Sequence, residues 1–285
     1  MRIIPLVLSL CILFTTYHLV GKIRFSDKEA IAQWSRFYEK SIQLEQEASF
    51  SKALNFAVRA FEVCENSLPP DHPHTFMTLC RLGHLEAELY RFDESEKHLS
   101  RALKITRKRS NPDFAEIGRC EYLKGRLSAI REDTELAIHQ YESALSYFKK
   151  CAPCDVYLAK TMVSLALVLH KIGKTKEAED YCLHATEVLG SAKQSKSKTA
   201  ADCLRLLGHI KQGQGICESA KEYCEGALAI YDELNIQGID CAKCMISLAL
   251  VHEKQDDISR AETMLLRALE IVQRAYGPKH KEVKK

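Results

Sequence analysis

The chain has 285 residues, of which 46% are hydrophobic and 28% are charged. This composition is that of an ordinary globular protein and excludes a disordered or fibrous chain. The formal net charge of +3 at pH 7 is too small for a general nucleic-acid surface, which needs a concentrated basic excess. We therefore expect a folded protein that does not bind nucleic acid.

Residues 1–21 form a membrane-directing segment. They include the uncharged stretch IIPLVLSLCILF, and the apolar character continues weakly to Gly21. A run of roughly 18 apolar residues lies between the length of a signal peptide and that of a short membrane span. Lys22 and Arg24 favour an anchor through residues 3–20 that keeps the rest of the chain on the cytosolic side. Cleavage of a signal peptide after Gly21 is the alternative.

A pattern of small and bulky residues then recurs along the chain. Each occurrence ends on an alanine, with a small residue seven positions earlier and, in most cases, a bulky residue three positions earlier. This spacing places the three side chains on one face of a helix. The closing alanines are 41 or 42 residues apart and are Ala60, Ala102, Ala144, Ala185, Ala227 and Ala268.

A second amphipathic stretch precedes each occurrence, as at residues 157–171 and 200–212. The break between the two stretches falls at Gly173 or Gly215, where the end of a helix needs a residue in the left-handed conformation. Each unit is therefore predicted to be a helix, a tight turn and a helix. Six units are predicted, at residues 27–66, 72–109, 112–150, 154–190, 199–234 and 239–275.

These units resemble tetratricopeptide repeats, and their length of about 42 residues resembles the kinesin light chain type. The resemblance implies an all-α fold, a right-handed α-solenoid over residues 27–285 preceded by the N-terminal hydrophobic segment. No repeat has the tryptophan that the family places in its first helix. The motifs that carry the resemblance are Leu82-Gly83, Leu207-Gly208, the set Ala220, Cys224 and Ala227, DHPHT at 71–75 and YGPKHKEV at 276–283.

In tetratricopeptide proteins, certain first-helix positions line a concave groove that holds a peptide. The resemblance implies that an acidic peptide with one or two hydrophobic anchors binds here, since arginine pairs with carboxylates in bidentate fashion. Simple solvation of these side chains is the alternative. The charged and aromatic candidates are His84, Arg119, Tyr122, Arg126, Lys160, Arg205, His209 and Lys243, and their neighbours at the same positions are Met77, Cys80, Val163, Leu167, Asp202, Ile246 and Leu250.

The twelve cysteines bear on compartment and chemistry. Several occupy helix-contact positions, where cysteine acts as a small buried hydrophobe, and this favours a reducing compartment. The pairs Cys151/Cys154 and Cys241/Cys244 lie two units apart, about 20 Å, and so cannot share one zinc ion. A local redox pair at Cys151/Cys154 stays open.

We predict a protein with no catalytic residues, no cofactor and no metal, because no nucleophile with its base and no phosphate-binding loop can be assembled from the sequence. The leading function is a membrane-anchored scaffold or adaptor for a protein or peptide partner. One alternative is a secreted or lumenal repeat protein with a cleaved signal peptide. The other is an organelle import receptor or assembly factor, for example in mitochondria.

Overall fold

The computed structural model describes residues 27–47, 49–109, 112–151 and 155–276. The predicted membrane-directing segment and the residues after Tyr276 lie outside this range. Within it, no helix has the length and apolar character needed to cross a membrane.

The described residues form twelve α-helices and no strand, which confirms the all-α class. We number the helices α1 (Asp27–Gln46), α2 (Phe50–Ser67), α3 (Pro73–Glu88), α4 (Phe92–Lys108), α5 (Phe114–Ile130), α6 (Thr134–Phe148), α7 (Asp155–Lys171), α8 (Thr175–Ser191), α9 (Lys198–Gly213), α10 (Cys217–Glu233), α11 (Ile239–Lys254) and α12 (Ile258–Tyr276).

The chain divides into two compact units, residues 1–106 and 107–285. In the first unit α1 pairs with α2, and α2 packs on α3. In the second unit the hairpins α5/α6, α7/α8, α9/α10 and α11/α12 follow one another, and the second helix of each packs on the first helix of the next. The right-handed superhelix stays a prediction.

In three hairpins a glycine of the first helix meets a larger residue of the second. A methyl group built on Gly83 would lie 2.6 Å from Cγ of Leu99, and one on Gly125 would lie 2.7 Å from the ring of Tyr141. At Gly208 the methyl group would collide with the sulfur of Cys224. These contacts show that the two helices approach closely at the three glycines.

The turns within the hairpins share one backbone geometry. Gly173 and Gly215 have φ angles of 82° and 79°, as the sequence predicts for a helix that ends on a left-handed residue. The equivalent positions of three other hairpins hold Tyr90, Glu132 and Asp256, with φ between 58° and 65°. In each of these five turns, the residue after the left-handed one donates its amide hydrogen bond to the carbonyl oxygen five residues before it. The N···O distances are 2.8–3.0 Å. The backbone hydrogen bonds at the end of the helix therefore hold the turn in this conformation. Glycine only lowers the conformational free energy that a positive φ angle costs.

Substitution of Gly125 by alanine tests the close approach in the α5/α6 hairpin. Tyr141 is buried, so its ring has no room to yield to the new methyl group. We expect Gly125→Ala to lower the free energy of unfolding by about 1–3 kcal/mol, measured by urea denaturation. Gly190→Ala is the matched control, because nothing lies within 4 Å of its added methyl group. That control should be stabilising by about 0.5–1 kcal/mol, and equal effects of the two substitutions would contradict the packing argument.

Candidate binding face of the first helices

In the second unit the first helices α7, α9 and α11 lie side by side. Each has a small residue at its hairpin contact: Ala166, Gly208 or Ala249. The predicted groove positions lie six residues before, three before and one after this small residue. We call the resulting set of nine the first-helix face, and it consists of Lys160, Val163, Leu167, Asp202, Arg205, His209, Lys243, Ile246 and Leu250.

The two outer helices of the first-helix face present apolar side chains to the surface. Leu167 is 46% exposed, Ile246 is 40% exposed and Leu250 is 38% exposed. Lys160 lies two turns before Leu167 on α7, Lys243 lies one turn before Ile246 on α11, and both lysines are also exposed. The face therefore combines exposed apolar side chains with cations, which suits a segment that is both hydrophobic and acidic.

Two cation–π contacts join α5 to α7. Cζ of Arg119 lies 5.5 Å from the ring centroid of Tyr157, and Nζ of Lys160 lies 5.6 Å from that of Tyr122. Tyr122 is itself buried, so its ring supports the lysine from beneath and is not open to a partner. The structure thus brings the predicted residues Arg119, Tyr122 and Lys160 together, and it adds Tyr157, which the helical spacing did not single out.

Arg205 is held in a polar network between α9, α10 and α11. Its side chain is only 12% exposed, and its Nε lies 3.6 Å from Oδ1 of Asp240. Burial alone would raise the pKa of Asp240, but the charges of Arg205, Lys198 and Lys243 hold that pKa below its ordinary value. Arg205 therefore has an internal partner in Asp240, which also lies 3.7 Å from Nζ of the exposed Lys243.

The same network extends to Tyr231, whose hydroxyl donates a hydrogen bond of 2.6 Å to Oδ1 of Asp202. Burial and the charge of Asp202 raise the pKa of Tyr231, which keeps the hydroxyl protonated. Nζ of Lys198 contacts Asp202 at 2.9 Å and Asp240 at 3.4 Å. Sequence reasoning missed Lys198, Tyr231 and Asp240, because they stand at helix ends, outside the repeating positions.

His209 lies against His170 of α7, with ring centroids 5.3 Å apart in an edge-to-face arrangement. Burial lowers the pKa of His209, and His170, Arg205 and Lys243 lower it further. The His209 ring is therefore neutral at pH 7 and contributes hydrogen bonding but no charge to the first-helix face.

His84 belongs to the first unit, where it is bound to residues of its own unit. Its Nε2 lies 2.7 Å from Oε1 of Glu45, whose other oxygen pairs with the buried Arg81. Arg81 also donates hydrogen bonds to the side chain and the carbonyl of Ser41. Burial raises the pKa of Glu45, but His84 and Arg81 outweigh burial and hold it at about 2. The sequence pointed to His84 without showing that an acidic residue of α1 faces it.

Two further groups of residues were candidates for chemistry. The sulfur of Cys151 is disulfide-bonded, and its partner is not among the described residues. Cys241 and Cys244 are buried free thiols. In the described part of the chain, no group of three or more histidine, cysteine or acidic side chains is arranged to hold a metal ion.

The remaining predicted groove residue, Arg126, lies half-buried on α5.

Two family models, both described as tetratricopeptide repeat, match residues 75–116 and 199–274. A curated relative, Protein KINESIN LIGHT CHAIN-RELATED 3 of Arabidopsis thaliana, is 20% identical over 256 residues. The match covers 89% of this chain and 39% of the relative, so the chain spans about two fifths of that protein.

Solved structures show the same fold. BtubC (BKLC) from P. vanneervenii is 22% identical with a TM-score of 0.61, covering 83% of this chain and 94% of that one. A Rap protein complexed with competence and sporulation factor is 15% identical with a TM-score of 0.65, and the match covers 85% of this chain and 75% of the Rap chain. Together with the family matches, these likenesses confirm the resemblance drawn from the sequence.

The Glu45 network predicts a pH dependence of the first unit. Because the pKa of Glu45 is about 2 in the folded protein and 4.5 ordinarily, its stabilising effect is complete above pH 4.5 and is lost as the pH falls towards 2. We expect Glu45→Gln to lower the free energy of unfolding at pH 7 by about 2–4 kcal/mol, since Arg81 loses its partner. The variant should also lose less stability than the wild type between pH 5 and pH 2.

Urea denaturation across this pH range measures both effects. Glu39→Gln, an exposed position on the same helix, is the control and should change the free energy of unfolding by less than about 0.5 kcal/mol. Equal stability of Glu45→Gln and Glu39→Gln at pH 7 would show that the network does not hold the unit together.

Proposed function

We propose that this chain, built of kinesin light chain-like tetratricopeptide repeats, is a non-catalytic scaffold that binds a protein partner on the first-helix face. The tetratricopeptide-repeat fold of the two matching family models is typically a protein-interaction scaffold. The observation that carries the proposal is the exposure of Leu167, Ile246 and Leu250 beside Lys160 and Lys243. Apolar side chains grouped with cations mark a surface that a partner covers.

The partner segment is an acidic peptide with hydrophobic anchors. Its leucine-like or aromatic side chains pack on Leu167, Ile246 and Leu250, and its carboxylates pair with Lys160 and Lys243. The Rap protein in the structure of similar fold is complexed with competence and sporulation factor, which supports the capture of a bound factor by such a fold.

A photo-reactive residue tests where the partner binds. A benzophenone amino acid replaces Leu250 on the first-helix face or, as a control, Leu183, which is 39% exposed on the second helix α8. We expect the Leu250 position to form a covalent adduct in cells with one partner, identified by mass spectrometry, and the Leu183 position to form none with it. Adducts with the same partner from both positions, or from Leu183 alone, would contradict binding of the partner on the first-helix face.

The charge of the face is tested with the partner so identified. Lys160→Glu and Lys243→Glu should each weaken its affinity by about five- to ten-fold, because each substitution replaces attraction by repulsion. Lys176→Glu, an exposed position on α8, is the matched control and should leave the affinity unchanged. Isothermal titration calorimetry measures all three, and equal affinity of the three variants would refute an acidic ligand.

We also propose that residues 3–20 hold the chain at a membrane, with the repeats on the cytosolic side. The uncharged stretch that opens the chain supports this, as do the positive charges of Lys22 and Arg24 behind it. The buried free thiols of the described helices also favour a reducing compartment.

A lumenal or secreted repeat protein is the second candidate, and the disulfide at Cys151 favours it. Disulfides persist in oxidising compartments and are rare in the cytosol. In this case the membrane-directing segment is a signal peptide that is removed.

Protease protection distinguishes the two placements. With a C-terminal tag in sealed membranes, the anchored form predicts that protease removes the tag while the first residues stay membrane-bound. The lumenal form predicts that the tag survives until detergent is added and that the mature protein lacks residues 1–21.

A further inference from the structure

Two buried thiols meet where the α7/α8 hairpin packs on the next. Cys182 lies on α8 and Cys203 on α9, and neither is exposed to solvent. The Cys203 thiol donates a hydrogen bond of 3.1 Å to the carbonyl oxygen of Cys182, and the two thiols also interact with each other. The sulfur of Cys203 is therefore placed against the backbone and the thiol of Cys182.

The same arrangement recurs at the following junction. Cys224 on α10 stands 42 residues after Cys182, and Cys244 on α11 stands 41 residues after Cys203. Both are fully buried, and they pack in one hydrophobic cluster with Tyr231. Because the hairpins repeat with this period, the second pair occupies the same place in its junction as the first pair does.

The thiols of the second pair differ in acidity. Contact between the two thiols lowers the pKa of Cys224 and raises that of Cys244. The thiols of the second pair therefore interact with each other, as those of the first pair do.

From this repeated placement we propose that Cys182 with Cys203, and Cys224 with Cys244, are two sites of reversible disulfide formation that join consecutive hairpins. Each bond would tie a second helix to the first helix of the following hairpin, across 21 and 20 residues of chain. Closing such loops removes conformational freedom from the unfolded chain and so stabilises the folded one. The proposal does not depend on the partner.

The oxidant is a small disulfide such as glutathione disulfide. In the first step one protein thiolate attacks it, forming a mixed disulfide and releasing one glutathione thiolate, which takes up a proton. In the second step the neighbouring thiol, having lost its proton, attacks the protein sulfur of the mixed disulfide, forming the internal disulfide and releasing a second glutathione. The protein loses two hydrogen atoms at each site, and one glutathione disulfide becomes two thiols.

Two other cysteines serve as internal controls. Cys217 at the start of α10 is half-buried, and its thiol faces the carbonyl of Gly215. It should take up glutathione and keep it, since no second thiol is placed to displace it. Cys64 is buried like the paired cysteines, but its neighbour at 3.7 Å is the hydroxyl of Thr78 and not a second thiol, so it should form no internal disulfide.

The test equilibrates the reduced full-length chain with glutathione disulfide under native conditions, blocks remaining thiols with iodoacetamide after denaturation, and maps the peptides by mass spectrometry. We expect peptides that join Cys182 to Cys203 and Cys224 to Cys244. Excess reduced glutathione should reverse both. In Cys203→Ser, Cys182 should carry glutathione or be alkylated but should not be cross-linked, while the second pair still forms, and Cys244→Ser should give the converse.

A second readout needs no variant. The oxidised wild type should have a midpoint of thermal unfolding roughly 5–10 °C higher than the reduced protein. The proposal is overturned if all four cysteines remain alkylated after Cys217 has become glutathionylated. It is also overturned if any of these four cysteines is cross-linked to a cysteine outside its own pair, or if the two cross-links appear only when the chain is oxidised in denaturant.

Discussion

The fold depends on the close approach of two helices within each hairpin, at a small residue of the first helix. At Gly83, Gly125 and Gly208 there is no room for even a methyl group, because Leu99, Tyr141 or Cys224 fills the space. This contact sets the rotation of both helices about their axes. Once it is set, the positions that face the next hairpin and those that face solvent follow from the helical period.

The two features of functional interest are consequences of that rotation. It leaves the positions of Leu167 and Leu250 on the surface of the second unit, beside the lysines that precede them on the same helices. In the first five hairpins it also points the residue three positions before the closing alanine into the packing between helices, whereas Leu265 in the last hairpin is 48% exposed. Where cysteine occupies that position and the first helix opposite offers another, two thiols meet inside the protein, as at Cys224 and Cys244.

The pairing of charges does not follow the helical period, and little of it could be predicted from the sequence. The helical spacing correctly put Arg205 and His84 on first helices, but it did not show that Asp240 and Glu45 would face them. Such partners come from other helices 35 or more residues away, and a charge on a helix surface looks the same in sequence whether it is solvated or paired. For this reason the sequence did not distinguish Arg205 and His84, which are paired with carboxylates of other helices, from Lys160, which stays exposed.

The sequence by itself determined the period and the all-α class, because residues spaced three, four and seven apart lie on the same face of a helix. It also anticipated the left-handed turns at Gly173 and Gly215. Only the tertiary structure decided which charges are neutralised, that Tyr122 is buried beneath Lys160, and which cysteines meet. These are contacts between different helices, and they depend on distances that no periodicity along one helix encodes.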